Sequence, residues 1–404
     1  MNNIANKNNV RKQFSTILSG LVIIQLINFL FSLLLPKYFT PDAYAEFGIF
    51  TSILFIIIEI INAKFDIAVM LGKDKTEVQE IINAAFSIAT IQTAILLLLV
   101  AVVLAVVNFI PKVYILLPAC CLFYGIHQPI LVYLNKMENY MSINTFRIIQ
   151  VLITACITLA MGIMQLQHAL IYGFSIGLLI STLYTLKFTQ PKFSISELKK
   201  MYNTYPQFPK YGTWSALLNN ISRNSIPLLL SLFFTPKWIG LYTYATRLLN
   251  APTGMFSSAI GQIYFKKASI LKNEVLKKET KKLVSSIFLL SIIPTCIILF
   301  FGKDIFSFFF NATWAKAGIV AQYLILWYLL GVITSPISIL LDLKNKLKFE
   351  LLYNAILLTV RILSVTVGGM LGDFYLSILL FAASGVVMNF ILLYYIFTYI
   401  LPND

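Results

Sequence analysis

Twelve long apolar stretches, separated by short polar gaps, occupy most of this 404-residue chain. They run at roughly 15–35, 46–68, 81–107, 113–134, 146–164, 170–186, 213–234, 239–263, 283–301, 318–341, 351–371 and 375–399. A helix needs about 20 apolar residues to cross the hydrocarbon core of a bilayer. Only helices and closed barrels satisfy their backbone polar groups there. The pattern therefore predicts an all-α membrane protein with twelve transmembrane helices. Hydrophobic residues make up 59% of the chain and charged residues 12%. Soluble domains run near 45–50% and 25%, so a water-soluble fold would need more core than this chain can wrap.

The net charge of +15 would suggest nucleic acid in a soluble protein. Its placement argues otherwise. With the N-terminus inside, 22 basic residues fall in inside segments, 5 fall outside and 4 lie within the spans. The inside set includes Lys7, Arg11, Lys12, Lys136, Lys187, Lys199, Lys200, Lys272 and Lys344. The outside set is Lys37, Lys112, Lys237, Lys303 and Lys316. The positive-inside rule then puts both termini in the cytoplasm and requires an even number of spans. The first stretch is too long for a cleaved leader and reads as a retained span. Cys120, Cys121, Cys156 and Cys296 all sit in apolar stretches without metal-ligand spacing, so they read as reduced packing residues. No metal site and no nucleic-acid partner are expected.

No loop is large enough to be a domain. The longest inside connections are 187–212 and 264–282. The first contains a capping-box pattern from Ser194 to Glu197, which predicts the start of a short amphipathic helix near Lys199 and Lys200. The second is lysine-rich and reads chiefly as a topology signal, with anionic lipid as a further partner. An outside connection at about 302–317 carries Phe306, Phe308, Phe309, Phe310 and Trp314, a composition that suits the membrane interface. Asn311-Ala312-Thr313 matches a glycosylation sequon, a match expected by chance in a chain of this length.

Phe39-Thr40-Pro41 recurs as Phe234-Thr235-Pro236, 195 residues later. Each closes the first outside loop of its half, and six spans separate the two. This predicts a parallel repeat, an arrangement common in secondary transporters. The domain reading is an N-terminal lobe at 1–190, a cytoplasmic linker at 191–211 and a C-terminal lobe at 212–404.

Several charges lie inside the spans. Arg223 is central in span 7, Arg247 lies in the outer half of span 8 and Arg361 is central in span 11. Glu59 is central in span 2, with Lys64 and Asp66 nearer its inner end. A central charge costs about 2.5–3.5 kcal/mol on insertion scales, so these groups must face water, each other, or both. Glu59 and Asp66 are seven apart, which would put them on one face of a continuous helix. Lys64 would lie off that face and snorkel inward. Span 7 is unusually polar through Asn219, Asn220, Ser222, Arg223 and Asn224, and Pro227 follows. Pro252 and Gly254 are expected to interrupt span 8 in the same way, and such breaks mark transport pathways. The arginines suit an anion site, because a guanidinium offers a planar fork that fits phosphate oxygens bidentately. Internal ion pairing with Glu59 and Asp66 is the alternative reading.

The segment from Tyr205-Pro206-Gln207-Phe208-Pro209 to Trp214 carries a family resemblance, as do Ile239-Gly240-Leu241-Tyr242, Ala245-Thr246-Arg247, Ala251-Pro252 and Ala259 to Gln262. With Leu35-Pro36 to Gly48, Ala63 to Ala68, and Trp314-Ala315, these resemble the polysaccharide repeat-unit flippases. That family, which includes the O-antigen translocases, belongs to the multidrug/oligosaccharidyl-lipid/polysaccharide exporter superfamily. The resemblance covers essentially the whole chain. It implies two pseudo-symmetric six-helix lobes forming a V, with a cavity lined mainly by spans 1, 2, 7 and 8. It implies alternating access that moves an undecaprenyl-pyrophosphate-linked oligosaccharide from the inner to the outer leaflet of the bacterial cytoplasmic membrane. Polysaccharide polymerase and chain-length proteins would be partners. Arg223, Arg247, Glu59 and Asp66 map to cavity spans, Arg361 lies outside the usual lining set, and Lys37 matches a basic position near the first outside loop.

Two other classes compete. A drug or metabolite exporter of the same superfamily usually handles cations, which three arginines disfavour. An intramembrane glycosyltransferase or polymerase typically needs a sizeable outside loop bearing acids, and the outside loops here hold only Asp42, Glu46, Asp304 and Asp373. His127 and His168 have no partner cluster. A transporter rather than an enzyme is expected. No nucleotide motif or cofactor signature is present, so energy would come from an ion gradient or the substrate's own gradient.

Overall fold

A computed structural model describes residues 19–107, 110–268, 271, 273–344 and 346–401. Lys7, Arg11, Lys12 and Lys272, counted above, lie outside the described residues. The first half contains α1 (Ser19–Lys37), α2 (Pro41–Ile61), a short α3 (Phe65–Ala68), α4 (Lys75–Val106), α5 (Leu116–Lys136), α6 (Tyr140–Ile163) and α7 (Ala169–Thr185). Then come α8 (Ile195–Thr204), α9 (Thr213–Asn224), α10 (Ile226–Ser231), α11 (Pro236–Ala268) and α12 (Asn273–Phe310). The last are α13 (Ala315–Ile337), α14 (Ile339–Leu343), α15 (Leu347–Met370) and α16 (Phe374–Tyr395). No strand occurs among the described residues.

Each of the twelve apolar stretches overlaps a helix. Nine helices among the described residues are long and apolar enough to span: α1, α2, α4, α5, α6, α12, α13, α15 and α16. The apolar α7 is shorter, at 17 residues. The pair α9–α10 and the long α11 are shorter or more polar and fall below that measure. Polar caps set the helix starts. Asp74 accepts the Glu77 amide at 2.8 Å to open α4, and Asp373 accepts the Leu376 amide at 3.0 Å to open α16. Ser194 accepts the Glu197 amide at 3.3 Å, so the capping box does start α8, which runs on through Lys199 and Lys200.

Two connections read as loops are largely helix. α11 continues to Ala268 and α12 begins at Asn273, which fills most of 264–282. α12 has 38 residues and extends about 57 Å, against a hydrocarbon core of about 30 Å. Its Lys277, Lys278, Lys281 and Lys282 therefore ride on helical turns beyond the apolar stretch. The other end of α12 absorbs the phenylalanine run, burying Phe306 and Phe310 and leaving Phe308 and Phe309 exposed. Apolar length marks the bilayer crossing, and backbone hydrogen bonding carries a helix past it.

The described residues form two compact units. One comprises residues up to Phe31 with Ile49–Ser225, and the other comprises Ser32–Gly48 with the chain from Ile226 onward. This grouping by contact is a different division from the repeat-based lobes: 191–225 packs with the first unit, and Ser32–Gly48 packs with the second.

In the first unit α7 lies on α6 through Gly173 and Gly177, where a Cβ would overlap the Thr158 and Thr154 side chains. Small residues four apart let two helices approach closely in a lipid environment. His127 is buried on α5, with Nδ1 3.1 Å from the Thr182 hydroxyl of α7. Cys120 donates to the Ser175 hydroxyl at 3.3 Å, and all four cysteines are free thiols. α8 is clamped to α4 by the Lys200–Glu80 ion pair at 2.7 Å and by Tyr205 donating to Glu77 at 2.8 Å. Glu80 holds the exposed Lys200 ammonium above its ordinary pKa. Met201 is buried beneath α8 with Phe65, Val78, Ile81 and Ile82.

In the second unit α12 and α13 meet at Gly302 and Gly318, where a Cβ on Gly318 would overlap the Gly302 carbonyl. The Ser32–Gly48 segment is held by an aromatic cluster. Tyr44, Tyr244 and Trp314 pack with ring centroids 4.6–5.3 Å apart. Tyr244 donates to the Ser32 carbonyl at 2.9 Å, and the Trp314 indole donates to the Pro36 carbonyl at 3.2 Å. The repeated Phe-Thr-Pro sites take the same local role. Pro41 opens α2 and Pro236 opens α11, each at a first helical position where its missing N–H costs nothing. Gly240 on α11 lies directly against the Pro41 carbonyl, and Gly48 on α2 lies against the Thr243 side chain.

Candidate functional site

The charges of the first unit gather where α2 stops. α2 ends at Ile61, and Ala63 and Lys64 take left-handed φ values of 45° and 60° before α3 begins at Phe65. The continuous helix expected through 68 is thus broken, and Lys64 does not snorkel away. The left-handed turn swings its ammonium back onto the Glu59 carboxylate, with which it forms an ion pair. Glu59 and Asp66 do share one place, though through this turn and not through a helical face. They line a cavity of about 30 Å³ with Asn62, Lys64 and Gln128. Asn62 donates to the Gly125 carbonyl at 3.3 Å. The Asn62 Oδ1 and Asp66 Oδ1 atoms are buried without a hydrogen-bond partner among the described residues. The cavity has room for about one or two waters, which such acceptors require.

A left-handed alanine costs about 1–2 kcal/mol, and a β-branched residue tolerates that region far less well. Ala63→Val should therefore lower the thermal stability of the purified protein by about 2 kcal/mol or more. Ala63→Gly should stay within about 1 kcal/mol of wild type, because relief of backbone strain offsets the lost methyl. Equal melting temperatures for the two variants would show that the break is not strained.

α9 carries the polar run. Asn224 donates to both the backbone carbonyl and the side-chain oxygen of Asn220, at 3.1 and 3.0 Å. Asn220 donates in turn to the Ala216 carbonyl at 3.5 Å. The Asn219 side chain lies outside the described residues. Arg223 is exposed in the last turn of α9, where a cation complements the helix dipole. The helix ends at Asn224 and restarts at Ile226, so the break expected near Pro227 is present. Pro227 has no N–H to bond the Arg223 carbonyl one turn back.

Two arginines belong to the second unit. Arg247 is half-buried on α11, with its guanidinium 5.6 Å from the centre of the Phe47 ring. Arg361 is buried on α15, with its guanidinium 5.4 Å from the ring centres of both Trp327 on α13 and Phe381 on α16. Such placement over aromatic faces is worth about 0.5–2 kcal/mol. Pro252 and Gly254 do not interrupt span 8: α11 runs unbroken from Pro236 to Ala268 with Pro252 inside it. The Thr253 hydroxyl donates to the Leu249 carbonyl at 2.8 Å, next to the Leu248 carbonyl that Pro252 leaves without its helical N–H. Gly254 has open space where a Cβ would stand.

Sequence reasoning missed Asn62, Gln128, Phe47, Trp327 and Phe381. Phe47 falls inside the Leu35-to-Gly48 stretch that carries the family resemblance, but nothing in that stretch pairs it with Arg247. The others meet their partners across separate helices, a relation no local spacing encodes.

A family model described as polysaccharide biosynthesis protein matches residues 40–319, more than half of the chain. The chain belongs to this family. The resemblance drawn from loosely spaced motifs is borne out. No curated protein matches the chain. Among solved structures, this polysaccharide biosynthesis protein is similar to the lipid II flippase MurJ in an inward closed conformation, with a TM-score of 0.77 and 15% identity. The match covers 95% of this chain and 87% of that one. An inward-facing multidrug resistance MATE family transporter of the MOP superfamily gives a TM-score of 0.67 at 13% identity, covering 96% and 98%. A MOP superfamily transporter from Pyrococcus furiosus, whose description notes a binding pocket of reverse polarity, gives 0.55 at 10%, covering 97% of each. At these identities the likeness concerns the fold, which is that of multi-pass membrane transporters.

Proposed function

We propose that the chain is a flippase for an undecaprenyl-pyrophosphate-linked oligosaccharide, an O-antigen, capsule or exopolysaccharide repeat unit. It moves this substrate from the inner to the outer leaflet of the bacterial cytoplasmic membrane by alternating access. Twelve spans in two six-span halves, with both termini inside, belong to this proposal. The observation that carries it is the coincidence of a polysaccharide-biosynthesis family match with a MurJ-like fold over 95% of the chain. A sugar-pyrophosphate head cannot cross an apolar core unaided, so its charge must meet fixed cations on the way. Arg223, Arg247 and Arg361 are the residues we assign to that task. Arg361 is the most enclosed of them. Glu59, Lys64 and Asp66 are assigned to the polar step that couples movement to an ion gradient. Polymerase and chain-length proteins of the same assembly line are the proposed protein partners.

Deletion of the gene in its host tests the proposal. Lipid-linked repeat units should accumulate on the inner leaflet at full length while surface polysaccharide is lost. Absent or truncated lipid-linked units would point to an enzyme instead. Unchanged polysaccharide with raised drug sensitivity would point to a drug exporter.

A further inference from the structure

A second cavity, of about 610 Å³, lies within the first unit beside α8, and Ile60, Ala63 and Phe65 bring its wall up to the turn that carries the Glu59–Lys64 ion pair, though neither charged residue lines it. Its apolar wall comes from Ile60, Phe65, Ile88, Leu198 and Trp214, and its polar side chains are Lys199, Tyr202, Asn203, Gln92 and Thr213, the last already donating to the Phe208 carbonyl. α8 has two working faces. Lys200, Met201 and Tyr205 bind it to α4, while Leu198, Lys199, Tyr202 and Asn203 line the cavity. Lys199 is exposed and has no ion-pair or hydrogen-bond partner among the described residues, unlike Lys200 beside it. At the other end, the Gln92 side-chain oxygen is buried without a hydrogen-bond partner among the described residues. Tyr202 and Trp214 at the cavity are exposed, as are Phe193 and Ile195 at the start of α8. An amphipathic helix with such a face lies in the membrane interface.

We infer that this cavity binds one anionic membrane phospholipid whose head carries hydroxyls, as phosphatidylglycerol does. Its phosphate meets the free Lys199 ammonium. A head-group hydroxyl donates to the Gln92 oxygen, and the apolar wall takes the first part of a chain. A zwitterionic choline head supplies no net charge for Lys199 and no hydroxyl for Gln92. The inference does not depend on the proposed transport substrate.

Native mass spectrometry of the full-length protein in detergent, titrated with dioleoyl-phosphatidylglycerol or dioleoyl-phosphatidylcholine, tests it. The wild type should retain one phosphatidylglycerol in preference to phosphatidylcholine. Lys199→Gln should weaken that binding by about fivefold, the loss expected for one basic group at an anionic surface. Gln92→Leu should weaken it as well, while phosphatidylcholine retention stays unchanged in both. Lys192→Gln removes an equal charge from the same connection outside the cavity and should stay within about twofold of wild type. Equal retention of the two lipids by the wild type would overturn the inference. So would equal loss in the Lys192 and Lys199 variants, or displacement of phosphatidylglycerol by equimolar undecaprenyl phosphate.

Discussion

Arg247→Ala should reduce surface polysaccharide by about 30-fold or more while the protein reaches the membrane at its normal level. Truncating one side of a desolvated, hydrogen-bonded charge pair costs about 2–5 kcal/mol, and about 1.4 kcal/mol is a factor of ten. Arg247 is suited to such a contact because it is only half-buried and its guanidinium lies beside the Phe47 ring, 5.6 Å from its centre. Lysine at 247 should restore export only in part, since an ammonium lacks the bidentate fork. Arg223→Ala should act in the same direction from its exposed position at the end of α9. Immunoblots of the membrane fraction beside polysaccharide gels make the measurement. Wild-type polysaccharide in both alanine variants would remove the arginines from the transport reading.

Trp314→Ala should be the most damaging single change to the second unit. Trp314 is fully buried against Tyr44 and Tyr244 and donates to the Pro36 carbonyl. Emptying such a site costs about 3–5 kcal/mol, and the orphaned carbonyl adds to it. Trp314→Phe keeps most of the ring packing and should cost less, about 1–3 kcal/mol, chiefly through the lost hydrogen bond. Thermal unfolding of the purified protein distinguishes the two. The ordering alanine below phenylalanine below wild type is expected. An alanine variant as stable as wild type would mean that the cluster does not hold the Ser32–Gly48 segment.

Much of this architecture is legible in the chain because bilayer helices have a length requirement that residues reveal directly. Ser194 and Glu197 marked α8, and Pro227 marked the end of α9, because capping and proline chemistry are local. The repeated Phe-Thr-Pro sites marked two helix starts for the same reason. The break at Ala63 and Lys64 was not legible. Neither residue is a glycine or a proline, and the left-handed turn is stabilised by groups distant in sequence, among them Gly125. Pro252 misled in the opposite direction, because a proline in a membrane helix can be accommodated without ending it. The intramembrane arginines were identified by their cost alone. Whether each meets an aromatic ring or a carboxylate depends on which helices become neighbours, and Trp327, Phe381 and Phe47 supply the rings.

Gly48 and Thr243 touch each other, and they are separated by the same 195 residues that separate Pro41 from Pro236. In any molecule made of two copies of one sequence, a residue meets its own copy only on the dyad that relates them. A homodimer of half-length chains would therefore carry one identity at both places, and two threonines would collide there. A single chain is free of that constraint. One partner can shrink to glycine while the other keeps its side chain, a lock-and-key asymmetry that no symmetric dimer can encode. A designed split of this protein between its halves should then reassemble as a heterodimer in preference to either homodimer.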